Sequence, residues 1–230
     1  MSTMLLAGCV GGEESTDPAN AAPEAIMDVD QDSAMTQEEF TFDAQDSRDD
    51  GRITTWRFDF GDGQTMEVDD VDDARVKHAY EQGGEYTVTL TVTDDGGDQS
   101  GARTDTTQVR VAVNEEHPVA ESALHGSPLA NETSTATYDF EGFDGIDEVR
   151  FDGEATSLLV AGTSELRVAL IGPDGQVIVE DSVMIAAGET VEIDMDAPVS
   201  DAGDYQLLFE AESGSITVGG NLFVHYDDGF

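Results

Sequence analysis

Cysteine occurs once in 230 residues, at Cys9, so no internal disulfide can form and the fold must hold by packing alone. Cations are nearly as scarce: Lys and Arg total 9, and Lys77 is the only lysine. Phosphate binding needs clusters of Lys and Arg, and their absence excludes nucleic acid as a partner. No run approaches the roughly 18 apolar residues that span a bilayer. The sequence also lacks His-Glu-x-x-His, Gly-x-Ser-x-Gly, a phosphate-binding glycine loop and a zinc-type cysteine pair. Its 4 histidines are far apart. The expectation is a chain that is not an enzyme and that needs no certain cofactor.

What the chain has in excess is acid. Asp and Glu total 51, giving a net charge of −42 spread along the whole length rather than held in a tail. Such a surface repels itself and destabilises the compact state. At about 1 M salt the Debye length falls to about 3 Å, and the repulsion is largely screened. The composition therefore reads as one built for concentrated salt, of the kind halophilic archaea make. An apolar content of 38% is enough for one or two real cores.

The most informative stretch runs from Phe58 to Asp94. Phe58-Asp59-Phe60-Gly61-Asp62-Gly63 ends an alternating run in a tight turn, where glycine supplies positive φ. His78-Ala79-Tyr80 and Gly84-Glu85-Tyr86 follow. In Thr87-Val88-Thr89-Leu90-Thr91-Val92-Thr93 the apolar residues share one face, the signature of a strand with one side in a core. In this order and spacing the pieces resemble a polycystic-kidney-disease (PKD) domain over residues 26–113. The resemblance implies an immunoglobulin-like β-sandwich and a cell-surface or secreted setting. Phe58 stands where the family usually has tryptophan, and Trp56 where it usually has tyrosine. His78 falls at the family's structural histidine.

Beyond Glu115-Glu116-His117-Pro118, a charged stretch ending in proline, the sequence reads as a loose linker over 114–132. Strand signals then resume: Ala136–Phe140, Glu148–Phe151, Ser157–Ala161, Leu166–Ile171, Gln176–Val179, Thr190–Met195, Tyr205–Ala211, Ser215–Val218 and Leu222–Tyr226. Short strands at about ten-residue spacing argue a second β-sandwich over 133–230. The predicted fold class is all-β, two sandwiches in tandem. Asp201-Ala202-Gly203-Asp204-Tyr205 has the spacing of a tyrosine corner, with Gly84-Glu85-Tyr86 in the equivalent place of the first unit. The second unit also resembles, more weakly, the pre-peptidase C-terminal β-sandwich. Phe140, Phe143 and Phe151 are read as core rather than as a carbohydrate surface.

At the front, Leu6-Ala7-Gly8-Cys9 resembles the lipobox of bacterial and archaeal lipoproteins, which implies a lipid on Cys9. Residues 1–9 would be a truncated signal, because a secretory signal needs a charged start and an apolar run of roughly 7–15 residues. Residues 10–25, without apolar period, read as a flexible tether. The expected location is the outer face of the cell membrane, lipid-anchored, or secreted if the lipid is absent.

One ligand is a candidate. Calcium wants several carboxylate and carbonyl oxygens on turns, and the PKD resemblance implies loops that some members use for it, here Asp49, Asp50 and Asp62, with Asp94 at a nearby strand end. Against this, acids occupy every loop of the chain. Asp28-Val29-Asp30-Gln31-Asp32-Ser33 imitates an EF-hand but lacks its glycine. The functional expectation is a surface lipoprotein that binds or spaces, with an envelope protein or glycan as partner. The alternative is an accessory subunit acting in trans on a secreted hydrolase.

Overall fold

The computed structural model describes residues 21–96, 101–127, 129 and 132–227. The expected residues of the lipobox, and most of the expected tether, lie outside that set. The first unit begins with β1 (Asp28–Val29), β2 (Ser33–Met35), β3 (Glu39–Asp43) and β4 (Ile53–Asp59). It continues with β5 (Thr65–Val68), a single 3-10 turn at Val71–Asp73, β6 (Arg75–Ala79), β7 (Gly84–Asp94) and β8 (Thr104–Gly126). One sheet is β1-β3-β6; the facing sheet is β2-β8-β7-β4-β5. The EF-hand-like residues fall in β1, β2 and the link between them, and the Asp30 carboxylate accepts Thr41 N at 2.8 Å.

Alternation explains the packing. Val88, Leu90 and Val92 are fully buried on one face of β7, and the threonines between them face outward. Against them lies a chain of rings from Phe40, Phe42, Phe58, Phe60 and Tyr80, all at most 2% exposed.

The second unit adds β9 (Ser134–Gly142), β10 (Ile146–Ser157), β11 (Thr163–Ile171), β12 (Val177–Ala186), β13 (Thr190–Pro198) and β14 (Gly203–Tyr226). The first half of β14 pairs with β9 and β11, and β12 closes that sheet. Past Gly214 (φ 80°) the same strand crosses to the other layer, pairing with β10 and β8, with β13 at the far edge. The core between the layers is mostly aliphatic: Leu166, Leu170, Ile185, Leu207, Ile216 and Leu222 are fully buried, with Phe151 against Phe209. Phe140 and Phe151 are core residues, and Phe143 packs against that core. The fold is all-β, in two sandwiches.

Two expectations are corrected. Residues 114–126 are not loose: β8 runs unbroken through them, pairing from Glu115↔Val224 to Gly126↔Gly214. Val119 and Leu124 bury themselves in the second core, which repays the ordering of a polar segment. Pro118 is tolerated because this half of β8 has a strand ladder on one side only, leaving its missing donor at an edge. Conversely, the expected strand at Ser157–Ala161 stops at Ser157. Leu158 and Val160 are exposed on a turn ended by Gly162 (φ 94°), so a short apolar run alone did not make a strand.

Candidate functional site

The two units use the same corner. Tyr86 Oη donates to the Gln82 carbonyl at 3.0 Å, and Tyr205 Oη donates to the Asp201 carbonyl, each four residues upstream. Each tyrosine follows a glycine by two residues, and Gly84 and Gly203 both have φ 142°. That backbone suits glycine and turns the chain into the strand so that the phenol can reach back.

The corner of the first unit abuts the second. Gly83 N donates to Glu115 Oε1 at 2.6 Å, Glu85 N to the Asp144 carbonyl at 3.3 Å, and Tyr226 N to Asn114 Oδ1 at 2.9 Å. A side chain at Gly83 would come within 2.6 Å of both Glu115 Cγ and the Tyr226 ring. Glu115 Oε2 also meets His117 Nε2 at 3.1 Å. Burial by itself would raise the Glu115 carboxyl, but the bonds from His117 and Gly83 outweigh it and hold it below the usual glutamate range. Burial pushes the Tyr226 hydroxyl well above its ordinary value. Where β8 passes from one unit to the other, Val111 and Val113 lie in the first core and Ala112 in the second.

The candidate calcium ligands do not form one site. Asp62 is held at one end of β4, where His78 Nε2 lies 2.8 Å from Oδ2 and Gln64 N donates to Oδ1 at 2.9 Å. Burial would raise this carboxyl, yet the bonds from Gln64 and His78 keep it below the usual aspartate range. His78 stacks on Phe60 at 3.9 Å and meets the Tyr80 ring edge-on at 4.7 Å, so this group is structural. Asp49, Asp50 and Asp94 lie toward the other end of β4, about 20 Å away at ~3.3 Å rise per residue. There Asp94, 1% exposed, accepts Gly96 N at 2.8 Å and Arg103 N at 2.7 Å. Asp49 Oδ2 accepts Gly51 N at 2.9 Å, and the Asp50 carboxylate accepts Ala21 N at 3.3 Å. Among the described residues no three His, Cys, Asp or Glu side chains converge to hold a metal. The four aspartates do not fit a single calcium ion. The Cys9 site lies outside the described residues.

Sequence reasoning missed a cleft of about 580 Å³ beside Asp49, between the turn that follows β3 and the connection that follows β5. Its walls include Arg48, Arg52, Trp56, Asp69 and Asp70. These residues come from two segments, 47–56 and 69–71, which only the folded chain brings together.

Both units are all-β sandwiches entered through a glycine–tyrosine corner. Residues 20–111 match the family model of the PKD domain, and the first unit is a PKD domain. Collagenase ColA of Clostridium perfringens (strain 13 / Type A) is 38% identical over 101 residues, which is 44% of this chain but 8% of that protein. The chain thus spans under a tenth of that relative's length. The PKD1 domain of Vibrio anguillarum Epp is 30% identical over 41% of this chain and 98% of its own, with a TM-score of 0.31. A carbohydrate-binding module of the β-sandwich superfamily aligns over 91% of this chain and 98% of its own at 17% identity and TM-score 0.36. PKD domains are typical of extracellular proteins and are typically non-catalytic. Among the described residues no helix is long and apolar enough to cross a membrane.

Proposed function

We propose that this chain is a non-catalytic extracellular module that binds and spaces, held to the cell membrane by a lipid on Cys9 and adapted to concentrated salt. The observation that carries the reading is β8. One strand of 23 residues belongs to both sandwiches, so a ligand held by either is presented at a fixed position relative to the other. A spacer needs that stiffness, and a binder gains affinity from surfaces that do not reorganise. The acidic surface supports the salt adaptation, since repulsion among 51 carboxylates is tolerable only when screened. The partner is a cell-envelope protein or glycan met through the sandwich faces or loops.

A second reading has its own support. The similarity of the first unit to part of a collagenase favours an accessory subunit that acts in trans beside a secreted hydrolase. One experiment separates the two: the full chain is used as bait for envelope and culture-medium proteins in multi-molar salt, with mass spectrometry as readout. Enrichment of envelope components is the expected result. Enrichment of a single hydrolase would replace adhesion with the accessory role.

A further inference from the structure

One pole of the second sandwich is short of charge. β10 runs from Ile146, beside Tyr226 at the junction with the first unit, to Ser157 at the opposite pole. Four segments meet at that pole, and residues 122–131, 155–164, 182–188 and 213–220 contain no Asp, Glu, Lys or Arg. Leu158 N donates to the Ser215 carbonyl at 2.8 Å, Gly188 N to the Ser157 carbonyl at 3.1 Å and Ala187 N to the Gly162 carbonyl at 3.0 Å. Ser157 Oγ lies 2.9 Å from Ser164 Oγ, and His125 Nδ1 lies 2.8 Å from Ser215 Oγ. Segments far apart in a sequence with 51 acids thus lose their charge at one place. Acids resume just behind it, at Glu132, Glu154, Glu165 and Glu189.

What projects from the pole is apolar. Val160 and Leu129 are fully exposed, and Leu158 and Met184 are more than half exposed. They are four of the eight large hydrophobic residues that the described chain exposes. Leu129 lies in the hairpin closed by the Ser127–Glu132 bridge, and Leu158 and Val160 lie in the β10–β11 turn. Apolar groups gathered in this way on a hydrogen-bonded frame mark a contact surface.

The geometry decides what covers it. Residues 1–20 join at the other end of β8, where Ala25 N donates to Asp105 Oδ2 at 2.9 Å. From there to Gly126 at the pole β8 runs about 70 Å at ~3.3 Å per residue, which a segment of that length covers only when fully extended. A second copy, or another folded protein, needs about 800 Å² on each side for a stable contact. Four side chains on separate loops do not supply that area. A lipid surface requires neither such an area nor a matching shape. It takes up protruding apolar side chains singly, to the depth at which charge begins.

We infer that this pole inserts Leu129, Leu158 and Val160 into a lipid surface with neutral headgroups. The acids behind the tip set the depth, and an anionic surface would repel them. The inference goes beyond the binding-module reading and draws nothing from a lipid on Cys9.

The full chain carrying Cys9→Ser, which removes any lipid at that residue, is sedimented with phosphatidylcholine vesicles in molar salt. The expected result is a bound fraction that saturates with lipid, with binding weakened about tenfold or more in Val160→Asp. Val160 is fully exposed, so its replacement leaves the fold intact, as an unchanged far-ultraviolet spectrum would confirm. Val160→Trp should bind at least as tightly, and its emission should shift to the blue when vesicles are added. The inference is overturned if the chain does not sediment with vesicles, or if Val160→Asp sediments equally well. It is also overturned if the chain dimerises without lipid and Val160→Asp abolishes the dimer, which would assign the pole to a second copy. In any of those cases, capture of envelope components by the unaltered chain would leave the binding-module reading standing, and its loss would remove that reading itself.

Discussion

The two sandwiches share a corner and differ in what they pack behind it. In the first, rings contact rings from Phe42 through Phe60 and His78 to Tyr80 and Tyr86. In the second, aliphatic side chains fill most of the space, and the aromatic pairs Phe140–Tyr205 and Phe151–Phe209 stand apart. Yet Gly84 and Gly203 have the same φ of 142°, and both tyrosines bond four residues back. Corner and core are thus separable. The corner is fixed by two residues and a backbone angle, whereas the core accepts any apolar set of suitable volume and period.

The largest effect should come from emptying either core. Phe58→Ala in the first and Phe151→Ala in the second should each cost about 3–5 kcal/mol. Because β8 belongs to both sandwiches, each variant should lower the stability of the whole chain in one transition. Emission from Trp56, in the first unit, and the far-ultraviolet signal should change together; two separated transitions would show that the units fold independently.

Next come the corner glycines, where the shared angle meets unlike surroundings. A side chain at Gly203 would approach Pro173 Cβ to 2.9 Å, while one at Gly84 would find Phe143 Cβ at 3.7 Å. Both replacements strain the backbone by about 1–3 kcal/mol. Gly203→Ala should therefore lower the melting temperature more than Gly84→Ala. Equal effects would mean that the neighbour yields freely. Removing the hydroxyls should matter less. Tyr205→Phe and Tyr86→Phe should each cost about 0.5–1.5 kcal/mol in denaturant unfolding. The loss should be greater at Tyr205, which is 2% exposed. A larger loss at Tyr86 would reverse the comparison.

The smallest effect concerns pH at the junction. The Glu115 carboxyl lies below its ordinary value of 4.5 in the folded chain, so it binds protons less readily there than when unfolded. Its contribution is present above pH 4.5 and is lost as pH falls through the lower folded value. Glu115→Gln should lower stability at neutral pH by that share, leave it little changed in acid, and so flatten the acid limb. An unaltered acid limb in melting curves would assign the sensitivity to other carboxylates.

What the sequence revealed follows the range of the interactions involved. Phe58 to Gly63, the Thr/Val alternation of β7 and both tyrosine corners depend on neighbours within a few residues, and all were legible. The strand character of 114–126 was not, because its ladder is with a strand far along the chain; Asn114 bonds Tyr226 across 112 residues. Resemblance groups Asp62 with Asp49 and Asp50, and the length of β4 separates it from them. The cleft at Trp56 escaped notice because its two walls, 47–56 and 69–71, meet only in the folded chain. Phe143, read as core from its neighbours, does pack against the second core.

The central claim is that β8 makes one stiff body of two sandwiches, and amide hydrogen exchange across residues 111–119 tests it most directly. The account predicts that this segment exchanges as slowly as the flanking parts of β8, with no break at the expected linker. Fast exchange at 114–118 between protected flanks would mean a hinge, and would contradict it.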